Sequence, residues 1–445
     1  MGIVICNFNK KDYVLSCIES IFKSTYKDVE IYVVDNASTD GSVEYIREKF
    51  GERVNLLINE TNLGGSGGFN RGLQEALKKE HQYLLLLDND VRLEVNAISR
   101  LVDVMDEDNS IAVAGAAIYK MDDPKRVQEI GSVIDWNRLT IKLLYKNLIE
   151  PKELPEIIEC DYVPACCALV RVDAISRVGL IDDRLFIYWD DVEWCYRFKL
   201  KGYKVIALPT AVAWHKGGAG VSSTTFPQYY FMRNRVHFFT KYLPAEKLEE
   251  LAEMMITTWF NVNFFGGAKG IHSVARTVIM AFEDAMNGVY GKASENRIFY
   301  LETARKDLLQ DCFNNCKRLF IVSDQQTEIT NVQKYIEPLN IDTTVIRINA
   351  ENNINQTLSQ LKSICDKDTI IIYCPHQILE TPDEVSDVLV VDDFLNVVDL
   401  RQDPQKIFIL KELLNHLIAT YLPLYVSRLQ TLRQIHQNEN QLMNV

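Results

Sequence analysis

The sequence predicts an α/β protein: a Rossmann-like parallel sheet covered on both faces by helices, then a helical extension and a second, small α/β domain. Three observations predict it. Short, almost wholly apolar runs alternate with segments of helical spacing from residue 2 to about residue 119. From about 228 to 300 the pattern turns helical and aromatic, and from Arg318 a new strand–helix rhythm begins. At 445 residues the chain is too long for one ordinary core, which points to two or three domains.

The elements follow in order. GIVICNF (2–8) is an apolar run of strand length, and Asp12 to Ser24 places Val14, Ile18, Ile21 and Phe22 on one helical face. VEIYVVD (29–35) is a second strand, which NASTDGS turns into a helix over 42–50 with Ser42 as the expected N-cap. VNLLIN (54–59) is a third strand, NLGGSGGFNRG (62–72) opens a helix to about Lys79, and YLLLLD (83–88) is a fourth strand. Residues 95–106 have helical spacing, and IAVAGAAIY (111–119) is strand-like. Strands this apolar are buried on both faces, as in a parallel sheet with helices on each side. Beyond the helical stretch, RLFIVSD, TTVIRIN, TIIIYCP and DVLVVDD are strand-like, with helices at about 329–338 and 354–365 and a long helix over roughly 404–436. The implied domains are 1–227, 228–309 and 310–445.

The net charge of -13 argues against nucleic acid as the main partner, because phosphate neutralisation needs concentrated Lys and Arg. The 10 cysteines form no CxxC pair; Cys166-Cys167 are adjacent and Cys312 and Cys316 are four apart. Neither zinc spacing nor a disulfide framework emerges, so reduced thiols packed as small apolar groups are expected. Met1 leads directly into a strand, so no signal peptide is expected. No run of about 18 apolar residues is present, so no membrane span is expected and the compartment is read as cytoplasmic.

In sheets of this class ligands bind outside the carboxyl ends of the strands. Three polar clusters fall there: Asp35-Asn36, Asn59 to Gly68, and Asp88-Asn89-Asp90. Asp88 and Asp90, two apart at a strand end, point to one side. They repel unless a cation or proton lies between them. Hard divalent ions take oxygen ligands, and Mg²⁺ uses one or two carboxylates plus substrate phosphates. The alternative is a polar turn with Asp90 capping the next helix. NLGGSGGFNRG has five glycines in eleven residues and opens a helix, whose N-terminus suits anions. It lacks the GK[ST] of a P-loop and does not fit GxGxxG; the alternative is a flexible turn, with Arg71 either on a phosphate or in a surface ion pair. FIYWDDVEWCYR (186–197) sets Asp190, Asp191 and Glu193 among aromatics, like a sugar-handling wall with a general base; the alternative is a solvated helix start with Asp190 as N-cap. His215 follows a further apolar strand, in AWHKGG.

Four elements in order, VVDNASTDGS, the D-x-D at Asp88 and Asp90, WDDVEW, and Trp214-His215, make the first 300 positions resemble the inverting family 2 glycosyltransferases of GT-A fold. NLGGSGGF with FIYWDDVEW and Arg233-Asn234 looks most like the galactofuranosyltransferase-like subgroup, with rhamnosyltransferases close by. The resemblance implies a Mn²⁺ or Mg²⁺ held by Asp88, Asp90 and His215, and Asp191 as the catalytic base. It puts Asp35 near the nucleotide base and ribose, with Asn36 standing where many relatives carry a second Asp. Asn7, Asn62, Gly64, Gly65, Arg71 and Asn89 complete the expected donor side. Trp189, Asp190, Glu193 and Trp194 are expected around the acceptor or sugar.

The activity implied is transfer of a hexose from a UDP- or dTDP-sugar, galactofuranose or rhamnose favoured, to a glycan or polyprenyl-linked glycan acceptor. The aromatic, basic stretch 228–300 is read as a packing layer or as a peripheral contact at the inner face of the membrane. Residues 310–445 fall outside the resemblance and are expected to serve homo-oligomerisation or docking. A non-catalytic GT-A-like scaffold working through this tail is the alternative from another class; a metal-independent nucleotidyltransferase fits less well, because CNFNKKD stands where its Gly-rich basic loop belongs.

Overall fold

The computed structural model describes residues 1–217, 222–303, 307–313, 315–324, 329–348, 353–392 and 394–443. Gly218, Asn349 and Asp393, each within a stretch quoted above, lie outside the described residues. The chain divides into two compact units, one of Met1–Leu251, Met280–Phe299 and Arg428–Val445, the other of Ala252–Ile279 and Tyr300–Ser427.

The first unit begins as the apolar periodicity requires: β1 (Gly2–Asn7), α1 (Lys11–Lys23), β2 (Glu30–Asp35), α2 (Ser42–Phe50), β3 (Asn55–Ile58), α3 (Gly64–Ala76) and β4 (Tyr83–Asp88). Then come β5 (Val91–Leu93), α4 (Ala97–Glu107), β6 (Ile111–Lys120), β7 (Val127–Glu129), β8 (Ser132–Asp135), β9 (Thr140–Leu143) and β10 (Ile158–Glu159). β11 (Cys167–Arg171), α5 (Val172–Val178), α6 (Asp190–Leu200), β12 (Lys204–His215) and α7 (Phe226–Tyr242) complete its main run. The sheet order is β10-β12-β6-β11-β4-β1-β2-β3, with β5 on β12 and β7 on β6.

The strands expected from the sequence, β1 to β4 and β6, share one direction, and the added strand β11 makes the sheet mixed. β3, β2, β1 and β4 run parallel, but β11 is antiparallel to both β4 and β6. The reason lies in the connection. Parallel neighbours need a crossover, usually helical; between β6 and β11 the chain carries only short strands, so β11 enters reversed. β12 then pairs parallel with β6. Leu84 to Leu87 on β4 are fully buried, at the centre of the sheet.

Ser42 is not the cap of α2. Gly41, at φ 81°, holds that position, and both the amide and the hydroxyl of Ser42 donate to Asp40 Oδ1. Tyr229, Tyr230, Val236, Phe238 and Phe239 of α7 are buried.

α8 (Leu248–Lys269), α9 (Ser273–Met286) and the final helix each contribute residues to both units. The second unit has α10 (Leu308–Cys312), β13 (Arg318–Asp324), α11 (Thr330–Ile336), β14 (Asp342–Ile348), α12 (Ile354–Ile364), β15 (Thr369–Cys374), β16 (Leu389–Val391), β17 (Val397–Asp399) and α13 (Lys406–Met443). Its sheet order is β14-β13-β15-β16-β17, parallel but for β17. Ile256 and Phe260 of α8 join Phe320, Val322 and Leu358 in one core cluster, while Leu319, Ile321 and Val332 build another. By length and composition alone, Lys406–Asn438 is the one candidate membrane span among the described residues, with 17% of its apolar window buried. Asn, His and Thr interrupt that window, so it contains no continuous apolar run.

Candidate functional site

The carboxyl ends of β1, β2 and β4 meet the start of α6 and the end of β12. β4 delivers Asp88, and the chain turns into β5, which pairs antiparallel with β12 so that Val91 stands opposite His215. That register carries His215 to the D-x-D. Its Nε2 lies 3.1 Å from Asp90 Oδ1 and 3.6 Å from Asp88 Oδ2. One ligand atom from each of the three residues falls within 4.8 Å of the others. Asp90 therefore faces the site and is not a helix cap; Asn96 precedes α4.

Burial pushes the Asp88 carboxyl up to about 6; His215 opposes this, while the neighbouring charges of Asp90 and Asp190 add to it. Burial also opposes the charge of Asp90, but hydrogen bonding to His215 and the charges of His215 and Lys10 bring it below the usual range. His215 moves the other way: burial opposes its charge, and Asp90 and Asp88 more than restore it, leaving it raised. The Gln128 amide lies 3.2 Å from His215 Nδ1 and sets the orientation of the ring.

Behind the acids lies a lattice of amides. Asn7 donates to Asp35 Oδ2 and accepts from Asn89. Asp35, fully buried, also accepts from the Ser38 amide. Asn36 donates to Gly64 O and accepts from Asn59. These residues fix the spacing of three strand ends and of α3.

The glycine-rich stretch is a packing device. Gly64 is in the left-handed region at φ 78°, and a Cβ there would lie 2.1 Å from Phe186 O. The amide of Gly64 is taken by Asn62 Oδ1 and that of Ser66 by Phe186 O, so these first-turn donors are already satisfied. Gly65 also faces the 186–187 segment. Gly68 and Gly72 let α3 lie against β1 and β2, where a Cβ would meet Cys6 Sγ at 2.3 Å and Val4 Cγ1 at 2.2 Å. Arg71 is exposed on α3 and is not brought into the acid cluster.

Phe186, Tyr188 and Trp189 all have positive φ, at 71°, 63° and 66°. Such strain persists only where the surroundings over-determine it. Here Asn234 donates to Leu185 O, Ile187 O and Tyr188 O, and Arg233 to Leu185 O and Gly291 O. The strained turn delivers Asp190 and Asp191 at the start of α6. Asp190 is the first helical residue, not the N-cap, and accepts from Ser66 Oγ at 2.8 Å. Asp191 accepts from the amides of Ala165 and Val192. Burial, then the adjacent Asp190, hold its carboxyl well above the ordinary range.

Three expected sugar contacts are corrected. Trp189 is 2% exposed and packs on Phe231, Phe238 and Phe239. Trp194, equally buried, donates to Gly179 O. Glu193 is enclosed by Arg197, Lys241 and Tyr242. Each has the residue type of a sugar site but spends its surface on the protein. Conversely, Lys10, Ser66, Gln128 and Tyr188 stand at the site without having been singled out. Burial, then the charges of Asp88 and Asp190, push the Tyr188 phenol up to about 12. Ser66 and Tyr188 lie inside stretches that drew attention for other residues; Gln128 has no motif around it.

Residues 2–179 match the family model for glycosyl transferase family 2. The galactofuranosyltransferase GlfT2 of Mycolicibacterium smegmatis is 28% identical over 205 residues, which are 42% of this chain and 31% of that protein. GlfT1 of the same organism is 26% identical over 267 residues, 55% of this chain and 86% of that one. The N-acetylglucosaminyl-diphospho-decaprenol L-rhamnosyltransferase of Mycobacterium tuberculosis is 23% identical over 236 residues, 48% of this chain and 75% of that protein. The chain thus spans about a third of the length of the first of these relatives.

Proposed function

We propose that this chain, whose residues 2–179 match the glycosyl transferase family 2 model, is a metal-dependent, inverting glycosyltransferase. In this reading it moves a hexose, galactofuranose or rhamnose favoured, from a UDP- or dTDP-donor to a hydroxyl of a cell-surface or lipid-linked glycan. The observation that carries the reading is the convergence of Asp88, Asp90 and His215 within 4.8 Å, beside an Asp190–Asp191 pair on a strained turn.

The donor set fits a hard divalent cation. Two carboxylates and an imidazole suit Mn²⁺ or Mg²⁺ better than a thiolate-loving ion. When bound, the cation would stabilise charge on the departing nucleoside diphosphate. The rest falls to the chain. Asp191, with its affinity for a proton raised by burial and Asp190, accepts the proton of the acceptor hydroxyl at a carboxylate oxygen. The oxygen attacks the anomeric carbon from the face opposite the diphosphate, and one displacement inverts the configuration. Ser66 holds Asp190, and the Asn7–Asp35–Asn89 lattice holds the donor edge.

In the same reading residues 228–309 serve the acceptor and a peripheral contact at the cytoplasmic face of a membrane, and residues 310–445 serve homo-oligomerisation or docking. The test is a thermal-shift panel of UDP, dTDP and GDP with and without Mn²⁺, on the native chain and on Asp90→Ala. One nucleotide should stabilise only with metal, and Asp90→Ala should abolish that; a ligand at a hundredfold its Kd adds about 2.7 kcal/mol. Stabilisation that survives Asp90→Ala, or that needs no metal, sinks the reading.

A further inference from the structure

Lys10 was no part of the acid cluster's expected set, yet its ammonium lies 3.2 Å from Asp90 Oδ2. Asp90 thus meets His215 with one oxygen and Lys10 with the other. We infer that Lys10 is a diphosphate-binding residue of the donor site, parked in the free protein on the carboxylate that takes the cation. The inference rests on the metal-dependent reading above.

Hydrogen bonds hold the backbone around Lys10. The amide of Asn9 donates to Ser38 Oγ, Asn9 Oδ1 accepts from the amide of Thr39, and Lys10 O accepts from Val14 N. The side chain is about a third exposed and passes over the Tyr13 ring, with the ammonium 5.1 Å from its centroid. The neighbouring lysines are spent elsewhere. Lys11 covers Tyr45, and Lys216 pairs with Asp122 Oδ2 at 2.5 Å. Lys10 therefore neutralises the acids from the β1–α1 side.

A divalent cation on Asp90 takes over the carboxylate's charge and repels the ammonium at short range. The four-carbon stem lets Lys10 swing without moving α1. A diphosphate is the anion that would arrive beside that cation, because Mg²⁺-type sites leave coordination positions for substrate phosphates. A lysine ammonium binds such oxygens as a point charge.

Competition for Asp90 and cooperation with the diphosphate give opposite signs, and that is the test. Mn²⁺ affinity is measured by EPR on the full chain without nucleotide, for the native protein, Lys10→Met and Lys10→Arg. UDP and dTDP affinities are then measured at saturating Mn²⁺. Lys10→Met should bind Mn²⁺ several-fold more tightly and the nucleoside diphosphate about tenfold more weakly, the effect of one charge-assisted hydrogen bond. Lys10→Arg should keep the native nucleotide affinity. An unchanged nucleotide affinity in Lys10→Met overturns the inference, and so does a loss of both affinities, which would make Lys10 a prop for Asp90. A native chain that binds no Mn²⁺ overturns the metal-dependent reading itself and this inference with it.

Discussion

Replacing Gly72 by Ala separates packing from phosphate binding in the glycine-rich helix. Gly72 sits inside α3 with no unusual φ. In a free helix Ala would be better than Gly by about 1 kcal/mol. Here the new Cβ would lie 2.2 Å from Val4 Cγ1 and 3.0 Å from Val34 Cγ2. Both valines are fully buried, on β1 and β2, and their branched side chains have little rotamer freedom. The helix must lift or the strands must yield, and overpacking of this kind costs about 1–3 kcal/mol. With contacts this short the cost falls in the upper part of that range, so the net loss should be about 1–2 kcal/mol after the propensity gain. Urea unfolding of Gly72→Ala against Arg71→Ala, an exposed control, measures it. The folded variant should still bind Mn²⁺ and nucleotide. A Gly72→Ala protein as stable as the native one would refute the packing account, as would normal stability with lost nucleotide binding.

Two further predictions concern the acids of α6. Asp191→Asn should lower kcat by about 10²–10⁴ while leaving Mn²⁺–nucleotide binding intact, because the residue acts on the acceptor proton. Since the base must be ionised and its carboxyl is raised, native kcat/KM should climb with pH through that raised value, and Asp191→Asn should lack this limb. Raising the Asp191 carboxyl also means that its ionisation opposes folding: stability falls as pH rises through the folded-state value, and Asp191→Asn should remove that loss. Glu193→Gln should act on stability instead, costing about 3–5 kcal/mol by leaving Arg197 and Lys241 short of their buried partner. Although burial opposes its charge, Arg197 and Lys241 hold the Glu193 carboxyl at about 2, below its ordinary 4.5. Its contribution is therefore complete above about 4.5 and is lost as pH falls towards 2. Acid unfolding curves of the native and Gln proteins should converge in that window; parallel curves would refute the assignment.

The sequence carried the local information. Apolar runs of strand length ending in Asp35 and Asp88 located strands and their carboxyl ends, because burial on both faces admits no polar residue until the chain leaves the sheet. Residue type at a strand end marked Asp88 and Asp90, whereas Asp191, in the first turn of α6, was marked by the resemblance of WDDVEW. Composition could not separate use from type at Trp189, Trp194 and Glu193, since an aromatic or an acid reads the same whether it faces a sugar or a neighbouring side chain. The glycines are ambiguous for the same reason: a missing Cβ suits a phosphate or a tightly packed helix equally.

The alternation of elements, the acid-tipped strands and the strand lengths were thus determined by the sequence alone, since they depend on neighbours a few residues apart. The reversed entry of β11, the pairing of Val91 with His215, and the reach of Lys10 to a residue 80 positions away were decided only by the tertiary structure. Each depends on which segments meet in space, and a one-residue change of register would turn His215 to the opposite face of the sheet and away from the carboxylates it now serves.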